Sequence, residues 1–227
     1  MTSDMLAVEA SGVSKSFQIG YLWRRRALPV LRHVNLRLGQ GECLIVEGEN
    51  GSGKSTLLRI LASLVLADTG SVRIFGRSPA APEARAQMGY ATGDERSLLL
   101  RLTVSQNLSF FGSLQPGTTP KWRAHVVEQL GLTESLDRAA GECSTGVRLR
   151  TSLARSVLNS PKLLLLDEVT RGLDESATRA VLNLLKELLG SGSSIVTATH
   201  SSVFAEHLPA RRVRLTEGAL SDPTGPS

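Results

Sequence analysis

The sequence predicts an α/β fold with a mainly parallel sheet, on three observations. Short apolar strand patterns alternate with amphipathic helical patterns in the first and last thirds of the chain, an order typical of parallel sheets covered on both faces. Residues 162–167 (KLLLLD) form a short apolar run between polar turns, which is typical of a buried parallel strand. A chain of 227 residues with 41% hydrophobic content is large enough for one domain with a sizeable core.

Composition excludes several classes of protein. No apolar run approaches the ~18–20 residues that span a bilayer, and the first ten residues lack the pattern of a secretory signal. We therefore expect a soluble cytoplasmic protein. The formal charge of +5 permits a polyanionic partner or an anionic membrane surface without choosing between them. An aromatic content of 4% argues against a base-stacking platform. Cys43 and Cys143 lack metal-binding spacing, which favours two small core residues.

The first third of the chain contains four predicted strands and one helix. Residues 30–38 alternate as a strand with one wet face, and residues 42–46 form a second strand that runs into a glycine-rich turn. Residues 71–75 and 88–91 are two further strands. Six apolar residues after the turn recur at helical spacing and predict a helix: Leu57, Leu58, Ile60, Leu61, Leu64 and Leu66.

The middle of the chain is predicted to be largely helical, to about residue 159. Thr103, with Gln106 three residues later, forms the pattern of a capping box. A loop at residues 115–120 precedes a helix at 121–130. The apolar face of that helix contains Trp122, Val126, Val127 and Leu130.

The last third returns to strands and helices. The buried strand at 162–167 is followed by a helix at 176–189, a strand at 194–199 and a terminal hairpin of residues 212–215 and 219–220. We expect the tail, residues 221–227, to be disordered.

The glycine-rich turn predicts a phosphate-binding loop. Residues 48–55 match G-x-x-x-x-G-K-[ST] between a predicted strand and a predicted helix, the context that this motif requires. Glycines let successive N–H groups point inward, and the helix N-terminus adds positive charge. Lys54 should reach the β- and γ-phosphates, and the Ser55 hydroxyl should coordinate Mg²⁺. The predicted nucleotide-binding residues of this loop are Gly48, Asn50, Gly51, Ser52, Gly53, Lys54, Ser55 and Thr56.

Two adjacent carboxylates narrow the choice of reaction class. Asp167 and Glu168 follow the buried strand, at the end where α/β sheets keep their sites. Asp167 would hold Mg²⁺ through water, and Glu168 would orient and deprotonate an attacking water. A small-molecule kinase does not require that base, so nucleotide hydrolysis is favoured. An acidic turn after a buried strand is the alternative for the pair taken alone.

Residues 143–150 (CSTGVRLR) open a predicted helix between these two motifs. The segment resembles the signature loop LSGGQxQR of ATP-binding-cassette (ABC) ATPases, matching it at Ser144, Gly146 and Arg150. Four positions differ: Cys143, Thr145, Val147 and Leu149.

The spacing of the motifs strengthens the resemblance. Ser144 precedes Asp167 by 23 residues, similar to the family's separation. His200 lies 33 residues after Asp167, at the place of the family's switch histidine. The segment Gly172-Leu173-Asp174 resembles the D-loop, with Asp174 at its acidic position. The match runs over about residues 6–220, and on its five ordered motifs the chain is identified as a member of the ABC family.

The resemblance implies a P-loop NTPase core with a mainly parallel sheet, N-terminal antiparallel strands and a helical subdomain. The single cassette would cover residues 1–220, with the core at about 1–93 and 160–220 and the helical subdomain at about 94–159. ATP and Mg²⁺ would be its ligands. Two cassettes would close head to tail around two ATP molecules. The signature residues Ser144, Thr145 and Gly146 would then contact the γ-phosphate in trans, and the catalytic residues would be Glu168 and His200.

Several positions depart from the family pattern. Gly93 occupies the place of a glutamine whose side chain coordinates Mg²⁺ and orients water, and Asp94 or Glu95 is a candidate substitute. Val169 replaces a proline, and Arg171 replaces a small residue. We expect the chemistry to survive these changes.

Phe17 occupies the place of the family's adenine-stacking aromatic residue. Tyr21 and Trp23, in the longer stretch that follows, compete for that role. Arg24, Arg25 and Arg26 would lie either in a solvated loop, the favoured alternative, or against anionic lipid headgroups.

The resemblance favours the ATP-hydrolysing subunit of an exporter-type ABC transporter. It would pair with a separate membrane permease and with a second cassette, identical or different, at the inner face of the cell membrane. Residues 98–100 are either a docking surface for the permease or ordinary subdomain core. The alternative is a soluble ABC ATPase acting on nucleic acid or ribosomes. The chain has one cassette and no heptad stretch, so we expect no nucleic-acid partner.

Overall fold

The computed structural model describes residues 6–20, 25–93, 98–115, 117–199 and 202–222. The chain divides into two compact units: Met1–Arg85 with Val196–Ser227, and Ala86–Ile195. The described residues of the predicted helical subdomain (residues 94–159) lie within the second unit. Across the described residues, no helix combines the length and apolarity needed to cross a bilayer.

The first unit opens with two long antiparallel strands, β1 (Leu6–Ile19) and β2 (Arg26–Gly39). After β3 (Cys43–Glu47) and α1 (Lys54–Leu61), β4 (Thr69–Ile74) pairs antiparallel with the other edge of β1. The sheet order is therefore β2-β1-β4. A short helix, α2 (Pro82–Arg85), ends this part of the unit.

Helix α1 is shorter than the apolar pattern predicts. Ser63 adopts a left-handed conformation (φ 58°), and Leu64 N–H donates to Arg59 O at 2.8 Å. This is the hydrogen-bond pattern of a Schellman C-cap, which ends a helix. Leu64 and Leu66, predicted to continue the apolar stripe, lie beyond the helix and are 60% and 78% exposed. The prediction was wrong for these two residues.

The second unit contains β5 (Met88–Thr92), α3 (Val104–Ser113), α4 (Pro120–Gln129), α5 (Thr145–Val157), β6 (Leu163–Asp167) and α6 (Glu175–Gly190). Strands β5 and β6 are parallel, with Thr92 opposite Asp167. Helix α5 packs against β5 and against the other three helices. All five residues of β6 are buried, which explains the continuous apolar run.

The predicted capping box at the start of α3 is confirmed. Thr103 Oγ1 accepts the N–H of Gln106 at 3.1 Å, and Gln106 Oε1 accepts the N–H of Thr103 at 2.9 Å. Helix α4 begins one residue before its predicted start, with Pro120 at its first position and Thr119 as its N-cap.

Strand β7 (Ser194–Ala198) leads from the second unit into the first, where α7 (Ser202–His207), β8 (Ala210–Thr216) and β9 (Ala219–Ser221) follow. Strand β3 pairs parallel with β8, and β8 pairs antiparallel with β9, which confirms the predicted terminal hairpin. Ser221, which the prediction assigned to the tail, is instead the last residue of β9 and pairs with Arg214. Residues 223–227 lie outside the described residues.

Candidate functional site

The predicted phosphate-binding loop connects β3 to α1, and its glycines meet two different requirements. Gly51 has φ 82°, and a Cβ added there would meet nothing within 4 Å. Gly53 also has a positive φ (108°), but its Cβ would lie 2.7 Å from Val30 O. A Cβ at Gly48 would collide with Leu215 O. Gly51 therefore leaves open space at the loop, whereas Gly48 and Gly53 allow close backbone packing beneath it.

Lys54 lies across this loop. Its side chain is buried, with the residue 5% exposed, and Nζ donates to Gly48 O at 2.7 Å and to Glu49 O at 2.9 Å. Both acceptors are neutral carbonyls, so these bonds orient the ammonium without cancelling its charge. A buried cation of this kind favours an anionic ligand.

Two further features of the loop fit a phosphate. Ser52 Oγ is buried and has no hydrogen-bond partner among the residues that the structure describes. Buried hydroxyls are nearly always bonded, so this atom suits a ligand oxygen. The N-cap of α1 is Gly53, which offers no side chain to the N–H groups of the first turn. These groups and the helix dipole form an anion site.

Three other predicted residues of the loop are more exposed than Lys54. Asn50 is exposed, while Ser55 and Thr56 are half-buried in the first turn of α1. A cavity of about 770 Å³ lies beside the loop and is also lined by Arg212 and Arg214 of β8. A larger cavity of about 1090 Å³ in the same unit shares no lining residue with it, and none of the predicted site residues lines the larger one.

Phe17, the predicted adenine platform, lies on β1 opposite Leu28 and is 39% exposed. The Lys15 ammonium lies 5.4 Å from the centre of its ring. An exposed ring of this kind is available for stacking. Its competitors, Tyr21 and Trp23, lie outside the described residues, as does Arg24. Arg25 and Arg26 are exposed.

In the second unit, Asp167 and Glu168 stand at the carboxyl end of β6. Asp167 is buried, and the Glu168 side chain is 16% exposed. Glu168 adopts a left-handed conformation (φ 52°), a backbone strain of order 1–3 kcal/mol that recurs at functional sites. The Arg171 guanidinium lies 3.7 Å from the Glu168 carboxylate. Val169, at the family's proline position, is buried.

Gly93 lies against this acidic pair. Its N–H donates to Asp167 O at 2.8 Å, and a Cβ added to it would lie 2.6 Å from Glu168 O. The structure thus brings together the strand end that lacks the family's glutamine and the strand end that carries the carboxylates. Asp94 and Glu95, the candidate substitutes, lie outside the described residues.

The signature segment forms the start of α5. Ser144 is the N-cap, and its Oγ accepts the N–H of Val147 at 3.4 Å. Thr145 and Gly146 are the first two residues of the helix, and Ser144 and Thr145 are exposed. A Cβ at Gly146 would find only Leu173 Cδ2, at 3.7 Å. The helix N-terminus is therefore accessible and lies beside the predicted D-loop.

Two structural roles in this unit escaped the sequence analysis. Arg150 Nη1 donates to Leu130 O at 2.6 Å, which ties α5 to the end of α4. Asp174 is the N-cap of α6, and its Oδ1 accepts the N–H of Ala177 at 2.8 Å and the hydroxyl of Ser176 at 2.7 Å. These two bonds, the Ala177 bond foremost, hold the pKa of Asp174 below its ordinary value. An aspartate just before a helical run was the available signal for this cap.

The remaining predicted residues are His200 and the two cysteines. His200 lies outside the described residues, so its role stays a prediction. Cys43 and Cys143 are free thiols and both are buried, which confirms the core prediction. Burial raises the pKa of the Cys43 thiol to about 12.

Comparison with known proteins agrees with these geometries. A family model described as "ABC transporter" matches residues 31–171. The chain is 34% identical over 203 residues to the lipoprotein-releasing system ATP-binding protein LolD 1 of Rhodopirellula baltica, covering 85% of this chain and 88% of that protein. It is 32% identical to the Nod factor export ATP-binding protein I of Rhizobium sp., covering 94% and 69%.

A third relative is longer than this chain. The chain is 34% identical to the macrolide export ATP-binding/permease protein MacB of Bordetella avium; the match covers 88% of this chain and 32% of that protein. The chain therefore spans about a third of the length of that relative.

A solved structure of the ATP-binding cassette MJ0796 bound to ADP and Pi has the same fold. Its TM-score is 0.81 at 24% identity, and the match covers 96% of this chain and 99% of that one. Four findings are consistent with one family. They are the predicted phosphate-binding loop, the acidic strand end, the family match over residues 31–171 and the shared fold. The chain belongs to the ABC transporter family and has the fold of an ATP-binding cassette.

Proposed function

We propose that this cassette is the ATP-hydrolysing subunit of an ABC exporter and acts with a separate membrane permease. The observation that carries the proposal is the loop of residues 48–54. It combines a buried lysine oriented by two carbonyls, a buried hydroxyl without a partner among the described residues, and an uncapped helix N-terminus. All three features suit the phosphates of a nucleotide.

The nucleotide would bind through groups already in place. The Lys54 ammonium would turn from the carbonyls of Gly48 and Glu49 to the β- and γ-phosphates, and Ser52 Oγ would donate to a phosphate oxygen. Backbone N–H groups of Gly51, Gly53 and the first turn of α1 would complete the cradle. Phe17, which is 39% exposed, would stack on adenine.

The donor set also fits Mg²⁺. The Ser55 hydroxyl and the Asp167 carboxylate are the hard oxygen ligands that this ion prefers, and Mg²⁺ usually takes few protein ligands together with substrate phosphates. Bound there, Mg²⁺ would neutralise charge that develops on the phosphates.

Glu168 would act as the general base. Its carboxylate follows a fully buried strand, and its left-handed backbone conformation gives the side chain a direction different from that of an extended strand residue. It would accept a proton from the attacking water while the γ-phosphate bond breaks. His200 would contact the γ-phosphate and help position that water.

A second cassette would complete the site. Ser144, Thr145 and Gly146 stand at an exposed helix N-terminus, suited to a γ-phosphate carried by another subunit. ATP would then hold the two cassettes together, and hydrolysis would remove the contacts that favour closure. The second cassette would be another copy of this chain or a related one.

The exporter assignment is supported by the relatives, whose names include lipoprotein release, Nod factor export and macrolide export. We place the cassette at the inner face of the cell membrane, attached through its permease. Leu99 and Leu100 are 41% and 51% exposed and would contribute to docking, whereas Leu98 is 6% exposed and belongs to the core. The names favour transport over the nucleic-acid alternative.

The test of hydrolysis is Glu168→Gln. Loss of the base should lower turnover by about 10²–10⁴-fold while ATP binding is retained, so an ATP-bound dimer accumulates. The measurements are phosphate release, ATP titration and gel filtration with ATP. Glu175→Gln is the matched control, since its side chain is 87% exposed at the start of α6. Unchanged hydrolysis in the Glu168 variant would remove that residue from the base role.

The test of the partner is purification of the native complex from membranes and from the soluble fraction. We expect an apolar membrane protein to copurify with the cassette. Recovery with nucleic acid in a salt-sensitive manner, without a membrane protein, would overturn the transporter assignment in favour of the alternative.

A further inference from the structure

Gly93 lies at the junction of the two strand ends that form the acidic site. It follows β5, and because Thr92 pairs with Asp167, Gly93 comes next to Glu168. Its N–H donates to Asp167 O at 2.8 Å, so the pairing of β5 with β6 continues one residue beyond the strand. The two chain segments are therefore held together directly at the carboxylates.

The space at Gly93 excludes any side chain. A Cβ would lie 2.6 Å from Glu168 O, 3.4 Å from Glu168 C and 3.6 Å from Asp167 O. These are backbone atoms, which cannot turn away as the end of a side chain can. The φ of Gly93 is outside the left-handed range, so glycine is required here by space and not by backbone conformation.

The crowded carbonyl belongs to the proposed base itself. Glu168 has φ 52°, and its carbonyl oxygen also accepts the N–H of Arg171 at 3.1 Å. Such a conformation persists only where the surroundings determine it, and here Gly93 and the Glu168–Arg171 turn enclose the same peptide group. Moving that carbonyl would rotate the backbone of Glu168 and redirect its carboxylate.

We propose that Gly93 is a positioning residue for Glu168, and that a glutamine at this place would displace the base instead of supplying a useful side chain. The proposal rests on the proposed role of Glu168 in hydrolysis. It predicts that restoring the residue found in the family harms this enzyme. The competing view, that Gly93 is simply a lost glutamine, predicts that the same substitution leaves turnover unchanged or raises it.

The experiment compares Gly93→Ala and Gly93→Gln with the native full chain. Gly190→Ala is the matched control: Gly190 ends α6 in the same unit, its φ is not left-handed, and its Cβ would meet nothing within 4 Å. For each variant we would measure affinity for a fluorescent ATP analogue, kcat and KM for ATP, the thermal midpoint, and ATP retained after gel filtration.

Both Gly93 variants should bind ATP within about threefold of the native chain and lose at least about tenfold in kcat, since a displacement of about 1 Å can cost about 100-fold. They should retain ATP after gel filtration, as is expected for Glu168→Gln. In the Glu168→Gln background, Gly93→Ala should add less than about a twofold loss, because effects transmitted through one residue are not additive. Gly190→Ala should change none of these values.

Unchanged or raised kcat in Gly93→Gln would overturn the proposal, because the side chain would then be accommodated. Loss of ATP binding or of folding in both variants would also overturn it and leave Gly93 a structural role. Glu168→Gln, measured in parallel, separates failure of the base assignment from failure of the Gly93 proposal alone. Full hydrolysis in that variant ends the base assignment and this proposal with it, whereas loss in Glu168→Gln with normal Gly93→Ala turnover ends this proposal alone.

Discussion

Some single side chains in this protein have a structural role in the fold as well as a proposed role at the site. Asp174 stands at the acidic position of the predicted D-loop, and it also accepts two hydrogen bonds as the N-cap of α6. Arg150 matches the signature pattern, and it also ties α5 to the end of α4. A substitution at either position therefore changes local structure as well as any contact with a second cassette.

The cap predicts a pH-dependent stability. Asp174→Ala should lower the thermal midpoint by a few degrees at pH 7, whereas Asp174→Asn should lower it less, because an amide oxygen also accepts the Ala177 N–H. The folded-state pKa of Asp174 lies below its ordinary value of 3.8. Its stabilisation is therefore complete above that value and is lost as the pH falls below it, through the folded-state pKa.

Denaturant unfolding at a series of pH values from 7 to 3 measures this effect. The difference between the native chain and the alanine variant should shrink towards the acid end. A difference that stays constant across the series would show that the carboxylate charge does not contribute to the cap.

The helices of the second unit are joined by a few polar bonds added to apolar packing. Trp122 of α4 donates its indole N–H to Val157 O, the last residue of α5, at 2.7 Å. The same ring stacks on His125, whose Nε2 lies 2.8 Å from a Glu187 carboxylate oxygen on α6. Helix α4 is thereby linked to α5 and α6.

We predict that Trp122→Phe lowers the free energy of unfolding by about 1 kcal/mol. Phenylalanine keeps an aromatic ring, although a smaller one than indole, and Val157 O keeps its second donor, the N–H of Ser160 at 3.0 Å. Trp122→Ala should cost more, about 2–3 kcal/mol, because it also removes the apolar surface of a half-buried indole. Denaturant titration measures both values.

The control for this series is Leu114→Ala, since Leu114 is 66% exposed. Its cost should be below about 0.5 kcal/mol. Equal losses of unfolding free energy in the phenylalanine and alanine variants would contradict the view that the hydrogen bond and the packing of Trp122 contribute separately.

At the scale of the whole molecule, the proposed site needs two chains. Lys54→Ala removes the buried ammonium of the phosphate-binding loop. Gly146→Asp places a carboxylate at the N-terminus of α5, where space is available and the helix dipole tolerates it, but where it would repel a γ-phosphate. Each variant alone should have little ATPase activity.

Mixing the two variants in equal amounts should restore activity if the chain pairs with itself. Half of the dimers would be mixed, each with one intact site of two, so about a quarter of native activity is expected. Phosphate release measures the recovery. The control is Lys54→Ala mixed with the Lys54→Ala/Gly146→Asp double variant, which leaves no intact site. No recovery in the first mixture would contradict a site shared between two copies of this chain.

Several features could be predicted from the sequence because short segments determine them. The phosphate-binding loop, the Thr103–Gln106 capping box, the buried β6 and the terminal hairpin each depend on residues a few positions apart. The family resemblance rested on such motifs and on their order along the chain, and the family match confirmed it. The predicted end of α1 was wrong for a local reason. Apolar spacing alone does not show where a left-handed residue such as Ser63 ends a helix.

Other features depended on the tertiary structure. The sequence by itself identified the candidate phosphate-binding residues and the candidate hydrolytic carboxylate, because those motifs are contiguous. Only the structure decided that Gly93 has no room for a side chain, since its neighbour Glu168 lies 75 residues away in the chain and reaches it through the parallel pairing of β5 with β6. Close approach between distant segments depends on strand register and packing, and no local pattern of residues encodes that distance.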